Sequence, residues 1–275
     1  MSRVTVPTSL TDLTDPRLAQ YSLMSDGRAM TRAGLFVAEG RLVVTRVLQD
    51  PRYHVQSLLL SPSAFNALAP VLDAVEPRPE VFEIPPHAFA QVTGHDIHRG
   101  CLGLVRRPPR LDWRSVASTA TTLLVLEAIA DADNVGSLFR SARALGVDGV
   151  LLSPACCDPL YRKAIRTSMG AVLGLPWAVA DAWPTCLSEL RACGLVLAAL
   201  TPSSDAVDLA AFAEATSAAR VAWMLGTEGA GLTRDALAAS DVRVRIPMSS
   251  GVDSLNVAVA AAVALSRRFE MTQPR

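Results

Sequence analysis

A chain of 275 residues, half of them hydrophobic, can bury a substantial core and is long enough for two domains. Its 26 basic residues balance its 26 acidic ones, which excludes the bulk charge signature of a polyanion binder and leaves only local patches for that role. No uninterrupted apolar run reaches the ~18 residues of a membrane-spanning helix, and the opening MSRVTVPTSLTDLTD lacks the apolar centre of a secretory signal, so the expected location is the cytoplasm.

In chain order, helices are expected over 26–33 and 40–49, the second with Leu42, Val43, Val47 and Leu48 on one face. A strand over 55–60, a helix over 63–72, a strand over 81–84, a short helix over 88–92 and a strand over 102–106 complete an α/β module. Pro108, Pro109 and the polar stretch up to Thr122 read as a linker. The expected domains are therefore 1–108, a linker over 109–121, and 122–275. Beyond the linker the strands become continuously apolar, as in a parallel sheet covered on both faces. They are expected over 123–129, 150–153, 175–179, 195–200, 221–225 and 242–246. Helices over 137–145, 161–168, 183–193, 233–239 and 254–270 alternate with them, which gives a doubly wound α/β sheet.

Lys163 is the one lysine, so 25 of the 26 cations are arginine. Arginine recognises phosphate bidentately, although a GC-rich coding bias explains the same preference. Cys101, Cys156, Cys157, Cys186 and Cys193 form no CxxC pair and have no zinc-like histidine spacing. Free thiols and no metal are expected. His95 and His98 flank a turn beside Arg99, where a surface contact with RNA and a purely structural turn are about equally good explanations.

Three polar or glycine-rich segments begin where apolar strands end: NVGSLFR (134–140), LGTEGAGL (225–232) and IPMSSGVDSLNVAVAAAV (246–263). In open α/β sheets, ligands bind beyond the carboxyl ends of the strands, so the three loops point to one site. Asp253 or Ser254 would cap the last helix. The glycines of GTEGAG stand at positions one, four and six, unlike a GxGxxG dinucleotide fingerprint.

These segments, in this order and spacing, resemble the three signature motifs of the SpoU/TrmH family of SPOUT RNA ribose 2′-O-methyltransferases. The resemblance covers about residues 120–270. It extends more weakly to FVAEG (36–40) and VTGHDIHRGCLGLVRRP (92–108), which resemble the family's auxiliary RNA-binding domain. It implies a knotted (trefoil) SPOUT domain behind a small α/β RNA-binding domain, a homodimer joined through the knotted region, S-adenosyl-L-methionine as cofactor, and RNA as partner. Ribosomal RNA is favoured over transfer RNA because the N-terminal domain resembles that of ribosomal-RNA members.

Carried over residue by residue, the resemblance makes Asn134, Arg140, Glu228, Ser254 and Asn256 the catalytic set. Arginine is effectively never deprotonated in proteins, so the role favoured for Arg140 is phosphate binding and stabilisation of a developing alkoxide rather than general base. All four histidines precede residue 99, so the second domain offers none as a base. Leu225, Gly226, Gly229, Ile246, Met248 and Leu255 are the implied cofactor contacts. Helix capping is the alternative reading of Asn134, Ser254 and Asn256; for Ile246, Met248 and Leu255 it is core packing, which is compatible with cofactor contact. The third segment departs from the family in carrying SSGVD before SLN and in Ala258, where many members have serine. Two alternatives stay open: an RNA-binding protein that keeps the fold without catalysis, and a transfer-RNA ribose methyltransferase.

Overall fold

Two β-sheets organise the chain, which the computed structural model describes over residues 5–97 and 100–272. One unit comprises Met1–Pro109 with Leu160–Leu173, the other Arg110–Pro159 with Gly174–Arg275.

The first unit runs β1 (Thr8–Ser9), α1 (Gly27–Arg32), β2 (Leu35–Glu39), α2 (Arg41–Gln49), β3 (Val55–Leu60), α3 (Pro62–Leu72), β4 (Glu80–Glu83), α4 (Phe89–Thr93) and β5 (Cys101–Arg106). Its sheet has the order β1-β4-β3-β5-β2, with β5 antiparallel to β2 and β3 and the other pairs parallel. Helix starts are chemically marked. The side chains of Asp26 and Ser61 accept the first N–H groups of α1 and α3, and Pro62 takes the first helical position, where no N–H is needed. A 3-10 stretch, Pro16–Ser25, has no counterpart among the expected elements; it buries Leu18, Tyr21 and Met24. His95 belongs to a turn whose backbone exchanges hydrogen bonds with the Thr93 hydroxyl at 2.9 and 3.2 Å. His98 and Arg99 lie outside the described residues.

The chain continues through α5 (Trp113–Thr119), β6 (Thr122–Leu126), α6 (Ala132–Ala144), β7 (Gly149–Leu152), α7 (Arg162–Thr167), β8 (Trp177–Val179), α8 (Cys186–Ala192), β9 (Leu195–Leu200), β10 (Val207–Asp208), α9 (Leu209–Ala215), β11 (Arg220–Leu225), α10 (Arg234–Ala239), β12 (Val242–Arg245) and α11 (Val257–Thr272). Of these, α7 belongs to the first unit. There Arg162 pairs with Glu39 at 2.7 Å, and Arg52 and Tyr53 donate to the Leu173 carbonyl at 3.0 and 2.8 Å.

The seven strands of the second unit pair in parallel in the order β10-β12-β9-β11-β6-β7-β8. Side chains alternate between the faces of a strand, and β11 shows both faces covered. Ala222 and Met224 enter a core with Trp113 and Val116 of α5, Leu187 and Leu190 of α8, and Ala236 of α10. Trp223 meets Phe212 of α9 edge-on, with ring centroids 5.2 Å apart. The last helix, α11, packs against α6 and α9.

The structure departs from three expectations. The 109–121 segment is not a plain linker, because α5 occupies it, capped by Asp112 and burying Trp113, Val116 and Ala117 at helical spacing. The helix of the first loop begins at Ala132 rather than 137, since Asp131 caps it by accepting the N–H groups of Asp133 and Asn134 at 2.8 and 3.0 Å. The last helix begins at Val257 rather than 254, so Ser254 lies in the preceding loop. No helix among the described residues is long and apolar enough to cross a membrane, and all five cysteines are free.

Candidate functional site

Because β6, β9, β11 and β12 are parallel neighbours, their carboxyl ends share one edge of the sheet, and the loops that leave them gather there. The loop after β6 turns through Ala128, whose φ of +54° lies in the left-handed region, and whose N–H is held by Ser153 Oγ at 2.9 Å. It then enters α6 under the Asp131 cap. Asn134 therefore sits in the first turn of the helix with its own N–H already satisfied, and its side chain is available for other partners.

The loop after β11 folds back on itself. The N–H of Gly231 donates to the Thr227 carbonyl at 2.9 Å, and the two residues form an isolated bridge. A Cβ on Gly226 would stand 2.1 Å from the Gly231 carbonyl carbon and 2.2 Å from the Leu232 nitrogen. Only glycine fits that approach. Gly229, at φ +86°, faces open space.

The loop after β12 ends on Asn256, and this residue ties the three segments together. Its Oδ1 accepts the N–H groups of Ala258 and Val259 at 3.0 and 3.3 Å, which makes it the N-cap of α11 in place of Asp253 or Ser254. Its Nδ2 donates to Asn134 Oδ1 at 2.9 Å and to Glu228 Oε1 at 2.5 Å. The amide thus spends both donors and both acceptor sites. The opposite amide orientation would set oxygen against two oxygens. Asn134, Glu228 and Asn256, 122 residues apart at the extremes, form one hydrogen-bonded cluster.

Beside the cluster lies a cleft of about 390 Å³. Leu225, Gly226, Gly229, Ile246, Met248 and Leu255, the six candidate cofactor contacts, all line it, together with Glu228, Ser254 and Asn256. Glu228 is the one ionisable side chain among the lining residues. Leu200, Thr201 and Pro202, at the end of β9, complete the wall. Sequence reasoning missed them, although the rule that located the other loops applies equally to the TPSSD segment after β9.

Arg140 is not brought into this cluster. It lies on an exposed face of α6, outside the cleft lining, and among the described residues its side chain makes no hydrogen bond or ion pair. Cys156 lies beneath the first loop, its thiol donating to the Leu126 carbonyl at 3.2 Å, and burial raises its pKa. It is therefore a structural thiol rather than a nucleophile.

The model of the SpoU rRNA Methylase family matches residues 121–266. An uncharacterized tRNA/rRNA methyltransferase of Mycobacterium bovis is 42% identical over 261 residues, covering 94% of this chain and 90% of that protein. The 23S rRNA (guanosine-2′-O-)-methyltransferase RlmB of Nitrosomonas europaea is 30% identical over 192 residues, covering 68% of this chain and 72% of the relative. Among solved structures, an AdoMet-bound rRNA methyltransferase from Sinorhizobium meliloti superposes with a TM-score of 0.82 over 97% of this chain and 99% of that one; at 22% identity the likeness concerns the fold.

Proposed function

The chain belongs to the SpoU rRNA methylase family, and from that premise we propose that it is an S-adenosylmethionine-dependent RNA methyltransferase acting on a ribose 2′-hydroxyl of ribosomal RNA. The observation that carries the reading is the convergence of Asn134, Glu228 and Asn256 at a cleft lined by all six residues assigned to the cofactor.

The cleft suits that cofactor. Ile246, Met248 and Leu255 give apolar walls for an adenine, the glycines at 226 and 229 leave backbone groups accessible, and the volume falls within the range of small-molecule sites. When bound, S-adenosylmethionine supplies an electrophilic methyl whose leaving group is a neutral thioether. The protein's own task is to orient the ribose and help remove its proton. Glu228, held by Asn256, takes the hydroxyl hydrogen in a hydrogen bond; Ser254 and Asn134 fix the polar surroundings. Arg140, exposed on α6 outside the cleft and uncommitted to any carboxylate, binds an RNA phosphate and so holds the target ribose in place.

The reading extends to assembly. The second unit is a trefoil-knotted SPOUT domain. In support, β12 lies outside β9, yet the chain must return past the 226–232 loop for α11 to reach α6. The protein is a homodimer, supported by Val259 and Val263 of α11. These are 49% and 39% exposed on an open groove of about 770 Å³ that also includes Ser137, Ser141 and Leu209. The first unit grips structured RNA through arginines such as Arg28, Arg41 and Arg106, which are exposed. The protein works in the cytoplasm, with its RNA.

The test is transfer of labelled methyl from S-adenosylmethionine to undermodified ribosomal and transfer RNA. Label in ribosomal RNA with wild-type protein supports the reading. Label confined to transfer RNA would reassign the substrate, and RNA binding without transfer would leave a non-catalytic member of the family.

A further inference from the structure

Glu127 follows β6 directly and is 3% exposed, yet its carboxylate has no ion-pair partner among the described residues. Its oxygens instead accept three hydrogen bonds. Oε1 takes the Trp183 indole N–H at 2.6 Å and the Thr233 hydroxyl at 2.8 Å; Oε2 takes the Thr233 backbone N–H at 2.8 Å. At the other end of the same residue, the Glu127 N–H donates to the Leu225 carbonyl at 2.8 Å.

Leu225 and Thr233 are the two residues that bracket the folded-back loop over 226–232. One residue therefore grips both ends of the segment that supplies Gly226, Glu228 and Gly229 to the cleft. We propose that Glu127 is a positioning residue for cofactor binding: it clamps the base of this loop closed so that the cleft exists before the cofactor arrives. The inference rests on the assignment of the cleft to S-adenosylmethionine. A buried carboxylate satisfied only by donors is the chemically appropriate clamp, because it offers acceptors on both oxygens at once. Glutamine cannot replace it. Whichever way its amide lies, the NH₂ group meets either the Trp183 N–H or the Thr233 N–H.

Thr233 supplies the complementary handle, since it is exposed and caps α10 by accepting the Ala236 N–H. Thr233→Val removes the hydroxyl while keeping the shape, and Thr233→Ser keeps the hydroxyl.

The experiment is S-adenosylmethionine binding by calorimetry on full-length wild type, Glu127→Gln, Thr233→Val and Thr233→Ser, with RNA affinity and kcat measured alongside. Loss of the clamp should weaken cofactor binding about tenfold in Glu127→Gln and by several-fold in Thr233→Val. Thr233→Ser should bind like wild type. RNA affinity, and kcat at saturating cofactor, should stay within about twofold, because saturation restores the closed loop. Wild-type cofactor affinity in both Glu127→Gln and Thr233→Val would overturn the clamp. So would a parallel loss of RNA affinity, or a loss in Thr233→Ser equal to that in Thr233→Val. Should Glu127→Gln fail to fold, the two Thr233 variants decide the matter alone. Absence of cofactor binding by wild type is a different result: it removes the cofactor assignment, and the clamp with it.

Discussion

Substituting Gly226 by alanine isolates the close approach on which the cleft depends. The added Cβ would stand 2.1 Å from the Gly231 carbonyl carbon and 2.2 Å from its oxygen, whereas ordinary contact begins at 3.4 Å. The opposing atoms are backbone, so no side chain can swing aside, and the loop over 226–232 must move by about 1.3 Å. Overpacking of this kind costs about 1–3 kcal/mol. Gly226 and Gly231 both line the cleft, so that cost falls on cofactor binding, where it corresponds to a loss of about 5- to 150-fold. Gly229→Ala is the milder comparison. Its Cβ meets no protein atom within 4 Å, so within the protein its penalty is the positive φ of +86°, worth about 1 kcal/mol. Calorimetric titration with S-adenosylmethionine should therefore show a larger loss in Gly226→Ala than in Gly229→Ala. Equal affinities for Gly226→Ala and wild type would refute the argument, because they would mean that the loop does not fold back on Gly226.

Three further outcomes follow from the same geometry. Asn256→Asp keeps the cap of α11 but sets an oxygen against Glu228 and Asn134, whereas Asn256→Ala also loses the cap. Urea unfolding should place Asn256→Ala about 2 kcal/mol below wild type and Asn256→Asp between them, with transfer activity lost in both; a fully active Asn256→Asp would contradict the amide bridge. Ala128→Gly relieves the left-handed backbone at φ +54° and, net of the extra chain entropy, should stabilise by up to about 1 kcal/mol in the same assay. Burial pushes the thiols of Cys101 and Cys186 up to about 12 and about 11, so iodoacetamide at pH 8 should modify half-buried Cys193 well before either, as peptide mass spectrometry would read out.

Much of the site was legible because its parts obey a local rule: polar or glycine-rich segments at the ends of apolar strands. What the sequence could not settle was which of several competent residues does each job. Asp253, Ser254 and Asn256 can all cap a helix, and Asn256 does so because Asn134 and Glu228, far away in the chain, receive its amide N–H groups. Asp131 rather than Asn134 caps α6 for the complementary reason. Helix α5 was hidden by its composition: WRSVAST is rich in serine and branched side chains, and it follows two prolines. Its burial comes from the core formed with α8 and α10. The membership of Leu160–Leu173 in the first unit rests on contacts such as Arg162 with Glu39, which no spacing announces. Glu127 was passed over because, next to β6 in sequence, it looks like an ordinary strand end.

One measurement identifies the atom that receives the methyl group. Ribosomal RNA labelled by wild-type protein from S-adenosylmethionine would be hydrolysed completely in alkali, with Arg140→Ala treated in parallel. A ribose 2′-O-methyl group blocks cleavage of the adjacent phosphodiester, so the account expects the label in alkali-resistant dinucleotides, and no label with Arg140→Ala. Label recovered in mononucleotides would place the methyl on a base and contradict the account; undiminished labelling by Arg140→Ala would contradict the role assigned to that arginine.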